Sequence, residues 1–277
     1  MSESDESDES SSRQLLRDFI DQNDNLEWLL AYGEMFGVTP YCYDRPVDEI
    51  KSEIFGIWQE TRHQAFFTLF QYLTKHEKEF NLSARHRMIM GSRMLLPMLK
   101  KYLWWQIQGK VIEFGPFVNP LVTPTENGLW HTAFLNITYY DNEPRALAYL
   151  NDRFNKFPQK PIITVCGNFK DIDKNLTGRK YDYMIMSQIF NYMDFRAFFQ
   201  KAREHLNKNG LIFINNVADY GIPEYFAPSG KRPESDEDVL WAAKELGFEI
   251  VEHECIQSID PSHQIAPRLL AVIRKNK

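Results

Sequence analysis

The chain has 277 residues, of which 43% are hydrophobic and 25% charged, and a formal net charge of −6. That composition suits one large domain, or a domain with an extension, and excludes a mostly disordered chain. Residues 2–12 hold five acids and no base, so the remainder lies within about one charge of neutral and its acidity says nothing about a partner.

No run of 18 apolar residues is present, so no transmembrane segment is expected, and the start MSESDESDES has neither the basic nor the apolar stretch of a signal peptide. Cys42, Cys166 and Cys255 are far apart, which argues against a disulfide framework or a cysteine zinc site and fits a cytoplasmic location. Residues 1–12 read as a disordered acidic tail. Residues 13–108 read as an all-α cover. Leu15, Leu16, Phe19 and Ile20 recur at helical spacing, and so do Phe66, Phe67, Phe70 and Leu73. Asn81 or Ser83 is a candidate cap for a further helix that runs towards Trp105 with a bend at Pro97.

From residue 109 the pattern changes. Short apolar runs at 110–115, 135–141, 161–167, 181–187 and 210–217 read as buried strands, with helices at 143–154 and 194–210 between them, the second closed by Gly210. Ser235 to Asp238 forms a capping box for a helix that ends before Gly247, and 248–255 with 268–275 read as a closing hairpin. Strands that alternate with helices predict an α/β fold, a doubly wound and mostly parallel sheet covered on both faces.

Such sheets bind ligands outside the carboxyl ends of their strands. The first strand closes on Glu113-Phe114-Gly115-Pro116-Phe117, the second on Asp141-Asn142, the third on Asn168-Phe169 and the fourth on Ser187-Gln188. An acid at the end of the second strand can accept the two hydroxyls of a ribose. Histidines show no metal-ligand spacing, and His86, His131 and His205 among them read as structural; no metal is expected. The basic and aromatic stretch 84–112 reads as a solvated helix face whose rings pack on the sheet, because a near-neutral domain argues against nucleic acid. Tyr32, Tyr41, Tyr43, Tyr192, Tyr220, Tyr225 and Phe226 would suit the walls of a small-molecule pocket.

The segments VIEFGPFVNP, YYDNEPRALAYL, CGNF and YDYMIMSQIFNYMD, followed by HLNKNGLIFINNV and a terminal hairpin, together resemble the class I S-adenosylmethionine-dependent methyltransferases. The likeness covers about 60% of the chain, residues 110–274. It implies a seven-stranded Rossmann-like sheet over residues 109–277 with the last strand antiparallel, and S-adenosyl-L-methionine as cofactor. It further implies that Glu113 and Gly115 lie beneath the methionine moiety, Asp141 holds the ribose diol, and Asn142 flanks the adenine. Asn168 and Phe169 would contact adenine, and Ser187 and Gln188 would line the methionine side near the methyl group. The activity implied is methyl transfer to an N, O or C nucleophile of a small-molecule acceptor, with a homo-oligomer left open. Two alternatives stand beside it: a non-methylating or cofactor-binding-only member of the fold, and a methyltransferase acting on nucleic acid or protein.

Two features depart from the family pattern. Phe117 and Asn119 stand where the later glycines of its loop belong, and glycine is used there for positive φ and close backbone approach. Pro124 and Gly128 interrupt the first helix, expected within 121–134. Phe117 is therefore expected to pack against 121–134 and replace part of that helix, leaving the cofactor site open.

Overall fold

The computed structural model describes residues 64–75, 91–103, 109–124, 135–154, 162–217, 227–256 and 267–276, with a few isolated positions before residue 64. The acidic tail, the proposed caps at Asn81 and Ser83, most of 121–134, His86 and His131 lie outside the described residues.

Four features of the sequence set the helices that bracket the sheet. Helix α1 (Gln64–Lys75) turns Phe66, Leu69 and Leu73 into the core at helical spacing. Helix α2 (Leu96–Leu103) begins one residue before Pro97, after helical residues 91–93 and a turn at 94–95, so the helical path is interrupted just ahead of the proline. Helix α3 (Pro144–Phe154) starts on a proline, and Ala146, Leu147, Leu150 and Phe154 make its buried stripe. Helix α5 (Phe195–His205) is capped by Asp194, whose carboxylate accepts the Ala197 N–H at 3.1 Å. A short helix α4 (Ile172–Asn175) precedes it, and α6 (Asp236–Glu245) follows with the capping box of Ser235 and Asp238 complete.

The strands are β1 (Gly109–Phe114), β2 (Leu135–Asp141), β3 (Ile163–Cys166), β4 (Tyr181–Ser187), β5 (Leu206–Asn216), β6 (Phe248–Ile256) and β7 (Arg268–Lys275). They form one seven-stranded sheet in the order β3-β2-β1-β4-β5-β7-β6. The first five are parallel, and β7 runs antiparallel between β5 and β6. The expected doubly wound sheet with a reversed last strand is what the chain forms.

One boundary differs from expectation. Helix α5 ends at His205, and the chain enters β5 at Leu206 without a glycine cap. The left-handed residue lies further on, Asn209 at φ 62° in the irregular stretch of β5 between Leu206 and Leu211, while Gly210 is buried against Leu206, where a Cβ would crowd its side chain. Gly210 serves close packing, and an asparagine, which tolerates this conformation, makes the turn.

Each face of the sheet carries its own core. On one face Val111, Tyr139, Ile185 and Phe213 meet α1, α2 and α3. On the other Ile112, Phe114, Tyr140, Met186 and Ile214 meet α5 and α6, with Phe114, Phe169, Phe190, Phe198 and Phe199 in contact edge to face or tilted. Strand alternation separates the two sets. The described part of the helical half is thus a layer of the fold, and Tyr102 of α2 packs on Phe213 while its hydroxyl donates to Glu252 of β6 at 2.8 Å. Lys101 bonds to the same carboxylate. These two members of the basic and aromatic stretch are structural.

Candidate functional site at the strand ends

The order of strands reverses between β1 and β4, and the groups at that switch point come from four carboxyl ends. Strand β1 delivers Glu113, which is 2% exposed and faces the loop that follows it. Its carboxylate accepts the N–H groups of Leu121 at 2.8 and 3.0 Å and of Val122 at 3.2 Å. Burial pushes its pKa up to about 8, while the two amides pull the other way. The Tyr139 hydroxyl, on the neighbouring strand, donates to the Val122 carbonyl at 2.6 Å. Arg153 of α3 donates to the Val118 carbonyl at 3.3 Å.

Strand β2 delivers Asp141, 5% exposed. One oxygen accepts the Phe117 N–H at 2.8 Å and the other the Glu143 N–H at 3.0 Å. Desolvation raises its pKa, opposed by those same backbone donors. Asp141 therefore ties the β1 loop to the start of α3, and with the Asn142 amide as a third backbone donor the carboxylate keeps room for one more.

The loop so held is short of glycine yet bends as a glycine loop would. Gly115 has φ 64°, and Phe117 has φ 49°. A Cβ at Gly115 would press on Ile189. The ring of Phe117 is half-buried against the core that contains Val118, Leu121 and Val122, as its apolar character led us to expect. Four side chains (Glu113, Tyr139, Asp141 and Arg153) fix the backbone of 117–122, so bonds replace the freedom that glycines would give.

Strand β3 leads to Asn168 and Phe169. The Asn168 side chain accepts the Lys170 N–H at 3.1 Å and caps a 3-10 turn, and its carbonyl accepts the Tyr140 hydroxyl at 2.7 Å. Phe169 stacks on Tyr140 at 6.0 Å and lies against Phe114 and Phe198. Its ring belongs to the core of that face. Asn142 is exposed beside Asp141.

Strand β4 delivers Ser187 and Gln188. Both donate to the Ser92 hydroxyl, at 3.0 and 2.6 Å, and Gln188 sits at φ 59° with its side chain buried. Asn215, from β5, donates to the Gly91 carbonyl at 2.8 Å and meets Arg268 through its oxygen at 3.4 Å. A Cβ at Gly91 would overlap the guanidinium of Arg268. The segment that leads into α2 is therefore seated on the ends of β4, β5 and β7.

The structure brings Glu113, Gly115, Asp141 and Asn142 to one rim, and Ser187 and Gln188 to an adjoining one. Sequence reasoning did not reach Ser92, Tyr139, Asn191, Asn215, Asn216 or Arg268. A polar pair, Asn215-Asn216, closing an otherwise apolar strand was the signal available for two of them. A cleft of about 440 Å3 lined by Lys110, Asp182 and Lys208 lies at the opposite, amino-terminal edge of β1 and β4, away from the ends where ligands bind in such sheets. Among the described residues there is no cluster able to hold a metal, and no helix is long and apolar enough to cross a membrane.

No family model matches the sequence, and no curated protein does. Solved structures do match. An S-adenosylmethionine-dependent methyltransferase from Clostridium acetobutylicum ATCC 824 is similar at 11% identity with a TM-score of 0.51, over 76% of this chain and 100% of that one. The carbon methyltransferase CurJ is similar at 10% identity with a TM-score of 0.54, over 97% and 71%. The [4+2]-cyclase SpnF is similar at 13% identity with a TM-score of 0.51, over 66% and 81%. The fold is that of the class I S-adenosylmethionine-dependent methyltransferases.

Proposed function

We propose that the protein is an enzyme that binds S-adenosylmethionine at the ends of β1, β2 and β4 and transfers its methyl group to a small-molecule acceptor. The observation that carries this reading is Asp141. It is a buried acid at the end of β2, beside the switch point, with its two oxygens oriented by the Phe117, Glu143 and Asn142 amides and acceptor capacity left for a further donor. A ribose diol offers such a donor.

The other residues fit the group in supporting ways. Gly115 lets the chain turn beneath the methionine part, and Glu113 holds the loop rather than touching the ligand. Asn142 is free at the rim to flank the adenine, whereas Asn168 and Phe169 offer it less, one engaged in a cap and the other packed in the core. Ser187 and Gln188 would line the methyl side through their contact with Ser92. The cofactor supplies the activated methyl group, and the protein's part is to bind, orient the acceptor in line and exclude water. An unprotonated amine acceptor needs no base, while a hydroxyl does.

SpnF, a [4+2]-cyclase, has a similar fold, which favours a second reading in which a bound cofactor is not consumed. Titration calorimetry of the full-length protein with S-adenosylhomocysteine tests the first step: saturable binding is expected, and its absence overturns the proposal. Release of S-adenosylhomocysteine from S-adenosylmethionine, dependent on an acceptor pool of small molecules, separates methyl transfer from the cyclase-like reading.

A further inference from the structure

Among the described residues, the end of β5 gathers buried polar atoms without hydrogen-bond partners. Asn216 is 0% exposed, and both its Nδ2 and its Oδ1 are buried without a hydrogen-bond partner. Because both atoms are orphaned, exchanging them by rotating the amide changes nothing. Asn191, also 0% exposed, donates through Nδ2 to the Val217 carbonyl at 2.6 Å, and its Oδ1 has no partner. Its backbone carbonyl accepts the Ala227 N–H at 2.8 Å, so Asn191 is held by Val217, just beyond β5, and by Ala227.

A buried polar group without a partner loses its bonds to water and gains none in return. Three such atoms at one strand end are more than packing needs, since the positions before Asn216 on this face, Ile212 and Ile214, are apolar and well packed. The site is at the carboxyl edge, on the β4–β5 side of the switch point and so on the side away from Asp141, where the nucleotide is proposed to bind. Among the described residues, no ionisable side chain is bonded to the side chain of Asn191 or Asn216. The neighbouring cation, Arg268, is directed to the opposite face, where it meets Asn215 and Gly91.

We infer that Asn216, assisted by Asn191, recognises the acceptor, and that the acceptor presents a neutral edge with an N–H donor beside a carbonyl acceptor, as in an amide or lactam. A carboxamide with neither atom engaged complements that edge through two separate atoms, which the single polar atom of a simple alcohol or amine does not provide. A charged group there would be buried without a counter-charge, at greater cost. This inference rests on the methyl-transfer reading for the word acceptor, but its chemistry can be tested without the cofactor.

The test uses δ-valerolactam and its matched ketone, cyclohexanone, as probes of full-length protein by saturation-transfer NMR, with and without S-adenosylhomocysteine. The lactam should give a signal at least fivefold stronger than the ketone. Asn216→Leu, close in volume and apolar, should abolish that difference while keeping the melting temperature and the affinity for S-adenosylhomocysteine. Equal binding of lactam and ketone to the natural protein overturns the inference, with or without a foldable variant. So does a Leu variant that melts higher and still favours the lactam, which would mark Asn216 as a site for ordered water only. Lactam selectivity in a protein that does not bind S-adenosylhomocysteine would sustain the recognition site and sink the methyl-transfer reading instead.

Discussion

Phe117 holds a left-handed backbone at φ 49° with a half-buried ring, so strain and packing oppose each other at one residue. The left-handed conformation costs a residue with a Cβ about 1–2 kcal/mol, and partial burial of the ring returns a comparable amount. Phe117→Ala keeps the strain and loses the ring, so it should destabilise by about 1–2 kcal/mol; Phe117→Gly loses both and should recover about 1 kcal/mol of that. Denaturant melts of the pair decide it, and equal stabilities would mean that the backbone is not strained there. Neither variant should improve affinity for S-adenosylhomocysteine, because the ring packs with Val118, Leu121 and Val122. Asp141→Ala should weaken that affinity by about 1.5–3 kcal/mol, the range for a hydrogen bond to a charged group; unchanged affinity in a folded variant would place the nucleotide elsewhere. Glu113 gives a pH signature. Its pKa stands at about 8 in the folded protein against 4.5 for the free group, because burial outweighs the two amides. Between those values the folded state binds a proton that the unfolded chain releases, so stability falls as pH rises through the window. Glu113→Gln should flatten the melting temperature from pH 5 to 8.5, and a parallel decline in both proteins would count against this assignment.

At the scale of elements, most of the sheet was legible because buried parallel strands are continuous apolar runs and their helices carry a periodic stripe. The capping box at Ser235 fixed the start of α6, and Ser235→Ala should cost about 1 kcal/mol, read in a urea melt, since it removes the bond to the Asp238 N–H. The boundary between α5 and β5 was not legible. Gly210 is the residue that normally ends a helix, but the space beside Leu206 claims it, and Asn209 makes the turn. The candidate site divides the same way. Acids and glycine at strand ends could be named from position, so Glu113, Gly115 and Asp141 were expected at the rim where they lie, although the bonds from Glu113 to the loop needed coordinates. Asn168 and Phe169 share the expected strand end, yet local capping and a ring cluster occupy them. Ser92 and Arg268 lie 95 and 81 residues from Ser187, and no spacing in the sequence links them.

At the scale of the molecule, the helical half and the sheet are joined where the chemistry is expected. The segment before α2 is fastened to β4 through Ser92, to β5 through Asn215, and to β7 by the approach of Arg268 to Gly91. Tyr102 and Lys101 add a second attachment on β6, at the other end of α2. Losing one attachment should therefore loosen the near end of this segment and not detach it. Gly91→Ala tests that, because the added Cβ would overlap a guanidinium that is 2% exposed and has little room to withdraw. The expected result, by hydrogen exchange, is faster exchange in residues 91–96 and in 187–191, with the amides of β1 and the middle of β4 protected as before. Affinity for S-adenosylhomocysteine should fall by less than tenfold, since Asp141 is tied through Phe117 and Glu143 and not through the helical half. If exchange at 91–96 is unchanged, Arg268 can move at no cost and does not fasten the cover. If β1 loses protection as well, the cover and the sheet open as one unit, and the helical half is part of the core rather than a wall of the site.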